Sequence, residues 1–130
     1  MRILVAVDYS SRTLRTLEEL AARPWPPNTT FRVLSVVEKV PPSAVELWFD
    51  AEGSLAAVLK AREARSRELA EKAAGLLRGK GIIVEVTTRY GGRRKAIAQE
   101  RRSWSADVVL DAALAMPPDL SRLLREARVR

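Results

Sequence analysis

The chain has 130 residues, 47% hydrophobic and 30% charged, and its 23 Lys and Arg against 16 Asp and Glu give a net charge of +7. That length and balance fit one globular domain over residues 1–130. No apolar run approaches the ~20 residues of a membrane span, and the start lacks the basic leader of a signal peptide, so no membrane association and a cytoplasmic location are expected. With no Cys and no His, disulfides, thiolate nucleophiles, Cys-based metal sites and Ser–His–Asp triads are excluded. No catalytic residue and no metal ligand is assigned, and the chain is not expected to be an enzyme.

Taken in order, Arg2–Val7 is an almost unbroken apolar, β-branched run and reads as a buried parallel strand ending at Asp8. A helix follows over about 11–22, with Ser10 or Ser11 as its cap and Leu14, Leu17, Leu20 and Ala21 as its buried stripe; Pro24, Pro26 and Pro27 end it. Thr30–Val37 is the second strand. Residues 38–52 form an excursion with Pro41-Pro42 and the Trp48-Phe49 pair, which either makes a partner surface or folds back over the next helix. That helix is long, about 54–78, with apolar positions at Leu55, Val58, Leu59, Leu69, Ala73, Leu76 and Leu77, and Gly79 and Gly81 stop it. The Gly75-x-x-x-Gly79-Lys80 stretch is one residue short of a P-loop and reads as a helix stop. A third strand over 82–88, a third helix over 93–104 ending in Trp104, a short fourth strand over 108–110 and a last helix from Leu120, capped by Asp119, complete the chain.

Strands alternating with helices imply βαβ units with right-handed crossovers. The expected fold is α/β: a three-layer Rossmann-like or flavodoxin-like open sandwich around a mostly parallel sheet of four to five strands, with the first strand central. In such sheets ligands bind outside the carboxyl ends of the strands, which is where Asp8 falls. Asp8 therefore has two readings, a ligand contact or a carboxylate capping the first helix. Gly91-Gly92-Arg93-Arg94-Lys95 puts cations at a helix start, against the helix dipole. It reads either as an anion site or as a solvated turn paired with Glu100 or Asp107. Most other cations have Glu neighbours, as in Arg62-Glu63-Ala64-Arg65 and Arg67-Glu68, and aromatics for base stacking are scarce. Nucleic acid is accordingly not the expected partner.

Ile3-Leu4-Val5-Ala6-Val7-Asp8-Tyr9-Ser10, Leu34-Ser35-Val36-Val37, Gly91 with Ala96-Ile97, and Ala106-Asp107-Val108-Val109-Leu110 occur in order and at matching spacing. In these stretches the chain resembles the universal stress protein family from Met1 to about Leu110. The resemblance implies an adenine-nucleotide site in which Asp8 accepts hydrogen bonds from the base or ribose, Ser10 lies in the adjoining Asp-x-Ser turn, and Ala6 and Val36 line the base pocket. Read from residue type alone, Ala6 and Val36 are core strand residues.

Nucleotide-binding members follow the fourth strand with Gly-x-x-Gly and a later Gly-Ser or Gly-Thr, whose amides cradle phosphates. Here Ala112 and Ala115 stand at the two glycine positions, Pro117-Pro118 follow, and no glycine occurs after Gly92. The added Cβ atoms, the missing N–H groups and the charges of Asp111 and Glu126 oppose a phosphate nest. The family's fifth strand is not apparent either, which leaves Val108–Leu110 as an apolar edge, so a homodimer through this region is expected. The resulting expectation is a stress-associated binding or regulatory protein without strong ATP binding and with no required cofactor. The alternatives are a weakly hydrolysing ATP or other adenine-nucleotide binder using Asp8 and an altered phosphate loop, and a basic adaptor contacting nucleic acid or an acidic protein through Arg93–Lys95 and Arg101-Arg102.

Overall fold

In a computed structural model, which describes residues 1–38, 54–79, 82–114 and 116–129, one sheet organises the chain. The elements are β1 (Arg2–Ala6), α1 (Ser11–Ala22), β2 (Thr30–Val37), α2 (Ser54–Leu77), β3 (Ile83–Tyr90), α3 (Arg93–Trp104), β4 (Val108–Asp111) and α4 (Leu120–Val129). The strand order is β3-β2-β1-β4, and every pairing is parallel. Strand β1 is thus inside the sheet with helices above and below, which is why Ile3 through Val7 are all buried.

Alternation along the strands splits the core in two. Ile3, Val5 and Val7 face one side with Phe31, Val33, Val108 and Leu110, and pack against Leu17 and Leu20 of α1 and Ala70, Ala73, Ala74 and Leu77 of α2. Leu4 and Leu34 face the other side and meet Trp104, with Ile97 of α3 partly buried beside them. The small alanines of α2 let the helix approach the sheet closely. Leu120 at the start of α4 is fully buried in the first cluster, with Met116 and Leu124 packed against it.

Some expectations need correction. In α1 the buried positions are Thr13, Thr16, Leu17 and Leu20, while Leu14 is half exposed and Ala21 exposed. The stripe is still i, i+3, i+4, i+7, but at its start it faces polar groups: Thr13 Oγ1 donates to the Asp8 carboxylate at 2.6 Å, and Thr16 Oγ1 lies 3.4 Å from the Ala112 carbonyl. On α2, Leu59 and Leu76 point outward. Strand β3 continues past Thr88 to Tyr90 because its ladder with β2 persists to the Val37–Tyr90 pair, and β4 takes in Asp111, opposite Ala6. The excursion with Trp48-Phe49, the Lys80-Gly81 pair, Ala115 and Arg130 lie outside the described residues. No helix among the described residues is long and apolar enough to cross a membrane.

Candidate functional site at the carboxyl edge of the sheet

A polar turn follows β1. The Asp8 carboxylate, through Oδ1, accepts from the Ser10 amide at 2.9 Å, the Ser10 hydroxyl at 2.6 Å and the Thr13 hydroxyl at 2.6 Å. Burial alone would raise the Asp8 pKa. The hydroxyls of Ser10 and Thr13, the Ser10 amide and the nearby Arg93 charge outweigh it and hold the carboxyl below its usual range. Ser10 occupies the N-cap position of α1, but its hydroxyl makes no cap to the helix; it is turned to Asp8. The anticipated cap by Ser10 is therefore replaced by an Asp8-centred turn that reaches Thr13 in the first turn of the helix.

Arg93 opens α3 and points inward. Its Nη1 donates to the Val7 carbonyl at 2.9 Å and its Nη2 to Asp111 Oδ1 at 2.6 Å. The guanidinium thereby ties the end of β1 to the end of β4. Gly91 makes the entry to α3 possible: its φ of +111° is a conformation that side chains disfavour, and its amide closes on the Val37 carbonyl at 3.0 Å. Arg94 and Lys95 point outward and are exposed. The stretch from Gly91 to Lys95 is thus divided: one cation is used inside and two are presented outside. The partners foreseen for it are engaged elsewhere, Glu100 by Arg32 and Arg89 and Asp107 by the Arg2 amide.

After β4 three successive amides are already committed. The Ala112 amide donates to the Ala6 carbonyl at 2.8 Å, the Ala113 amide to Asp111 Oδ1 at 3.0 Å, and the Leu114 amide to the Asp111 carbonyl at 3.0 Å. Ala112 itself is fully buried in the core.

Asp8, Ser10 and Arg93 border a cavity of about 490 Å³ at the carboxyl ends of β1 and β2. Val7, Val36, Val37 and Leu69 give it an apolar floor, Asp8 and Ser10 one polar wall, and Arg62, Arg65 and Ser66 of α2 another. Arg65 lies over the Tyr9 ring, 5.3 Å from its centroid. In the sequence Leu69 reads only as an apolar position of the long helix and Arg62 and Arg65 only as cations with acidic neighbours; none of them, nor Ser66, is marked there as a site residue. Their i, i+3, i+4, i+7 spacing, one face of α2, is the signal that was available. Of the residues assigned to a nucleotide site, Asp8, Ser10 and Val36 line this cavity, whereas Ala6 and Ala112 are core. Among the described residues no group of three or more acids comes together as a metal-ligand set.

A parallel α/β sandwich with a mixed apolar and polar cleft beyond its strand ends is the architecture of small-ligand-binding doubly wound domains. The chain belongs to the universal stress protein family, whose model matches residues 1–112. Its fold is that of several solved structures. A hypothetical protein, PH0823, superposes with a TM-score of 0.63 at 20% identity over 96% of this chain and 88% of that one. A universal stress protein family member from Burkholderia pseudomallei gives 0.57 at 18% identity, over 98% and 89%. One from Arabidopsis thaliana, solved with AMP bound, gives 0.53 at 17% identity, over 85% and 75%. At these identities the likeness concerns the fold. No curated protein sequence matches the chain significantly.

Proposed function

We propose that the chain is a non-catalytic, stress-associated binding and regulatory protein whose cleft does not hold ATP strongly, and that it works as a homodimer. The observation that carries the reading is the state of the amides after β4. A phosphate cradle needs N–H groups free to converge on an anion. Here the amides of Ala112, Ala113 and Leu114 are spent on the protein's own oxygens, one of them the Asp111 carboxylate. A phosphate approaching that turn would have to displace these bonds and the Arg93–Asp111 ion pair together. Residues present at the phosphate side thus do not suit a triphosphate, although the base side, with Asp8 and Val36, remains open to the cavity.

Isothermal titration with ATP and magnesium tests this. The expected result is no heat of binding at micromolar ATP, and micromolar affinity would overturn the reading. A second reading, an adenine-nucleotide binder, draws on the AMP in the Arabidopsis relative and on the cleft at the carboxyl edge of this sheet. In that case Arg62 and Arg65 on α2 would receive the phosphate. AMP binding lost on Arg65→Ala would favour it.

A further inference from the structure

On the other helices the exposed cations share the surface with acids, Glu18 and Glu19 on α1, Glu68 and Glu71 on α2 and Glu126 on α4, and some are paired. Arg67 pairs with Glu63, Arg78 with Glu71, and Arg122 with Asp119 and Glu126. Helix α3 is different. Its one acid, Glu100, is buried under the helix and clamped by Arg32 at 2.8 Å and Arg89 at 2.6 Å. The outer surface carries Arg94, Lys95, Arg101 and Arg102, all exposed, and none of them forms an ion pair among the described residues. The other carboxylates on this side of the sheet are also engaged: Glu85 by Arg32, Asp107 by the Arg2 amide and Asp111 by Arg93. Seven residues separate Arg94 from Arg101 and Lys95 from Arg102, which is close to two helical turns. The four charges therefore form two parallel rows, each about 10 Å long, on one face.

We propose that this face of α3 binds the sugar-phosphate backbone of duplex nucleic acid, without reading base sequence. Charge is the only recognition element the face offers. The residues among the cations are Ala98 and Gln99, with Ser103 beside them, so there is no aromatic or large apolar anchor of the kind that dominates protein interfaces and nothing to insert into a lipid layer. A polyphosphate backbone is a partner that charge alone can hold. Reading the sequence linearly sets nucleic acid aside because acids are interspersed among the cations; on α3 folding removes the one acid from the surface.

The test is fluorescence anisotropy of a labelled 20-base-pair DNA of arbitrary sequence, titrated with the full chain at several salt concentrations. Neutralising four phosphates predicts a slope of log affinity against log salt of about −3 to −4, a loss of roughly 100-fold between 50 and 200 mM salt. Arg94→Glu combined with Lys95→Glu puts acids at a helix start, where the dipole favours them, so the fold is retained; affinity should fall at least about 10-fold and the slope should flatten by about half. Arg12→Glu with Arg15→Glu, an exposed pair on α1, changes the net charge equally and should leave affinity within about 3-fold. Equal losses from both pairs would mean binding by net charge alone and would overturn the proposal. So would absence of binding at low salt, or binding to phosphatidylserine vesicles but not to the duplex.

Discussion

Glu100 is a buried carboxylate shared by two arginines. It sits on α3 facing the sheet, almost fully buried, and receives Arg32 and Arg89, while Arg32 also reaches Glu85 and stacks 4.6 Å from the centroid of the Trp104 ring. Burial would raise its pKa, but the two guanidinium groups more than compensate and hold it below the usual glutamate range. A carboxylate with a depressed folded-state pKa stabilises the fold above its unfolded pKa, and the contribution is lost as pH falls through the folded value. Glu100→Gln should therefore cost about 3 kcal/mol at neutral pH, because two partly buried cations lose their counter-charge. Urea denaturation at stepped pH checks the sign. The gap between wild type and Glu100→Gln should narrow below about pH 4, as the wild-type carboxylate protonates, and a gap that stays constant to pH 3 would contradict the assignment. Asp8, held by three hydrogen bonds, titrates in the same direction.

At the scale of elements, α4 packs on one face of β4. Strand β4 lies beyond β1 with α3 as its crossover, and a further parallel strand outside β4 would need its right-handed connection on the α3 side. Leu120, Met116 and Leu124 instead join the cluster with α1 and α2, so α4 starts by covering the other face of β4. Truncating Leu120, whose side chain is fully buried, to Ala should cost about 2–4 kcal/mol. Thermal unfolding would measure it, and a change under about 0.5 kcal/mol would show that α4 is not docked there.

For the whole molecule, the described sheet has β3 and β4 at its edges. Open backbone edges are templates for pairing with another chain, and Val108–Leu110 make the β4 edge apolar. A homodimer through β4 is the expected solution state. Light scattering on a size-exclusion column at micromolar concentration should give twice the 14.5 kDa chain mass; a monomer maintained at high concentration would contradict it.

The order of elements, the parallel sheet and the central β1 were legible in the sequence because burial on both faces demands continuous β-branched runs, and crossovers demand helices between them. Asp8 at the strand end was legible for the same reason: the acid closes an apolar run. Three things depended on tertiary structure. Thr13 and Thr16 took the place of Leu14 in the core because their hydroxyls meet oxygens from Asp8 and Ala112, a match that no periodicity encodes. Arg93 and Asp111, separated by most of a helix and a strand, became an ion pair only once β1 and β4 were brought side by side. And whether a charge is solvated, paired or presented depends on which face of α3 looks toward the sheet. Composition alone determined that the chain is basic and lacks Cys and His. Folding decided that Glu100 goes inside while Arg94, Lys95, Arg101 and Arg102 stay outside, because a buried carboxylate is tolerated only where cations surround it.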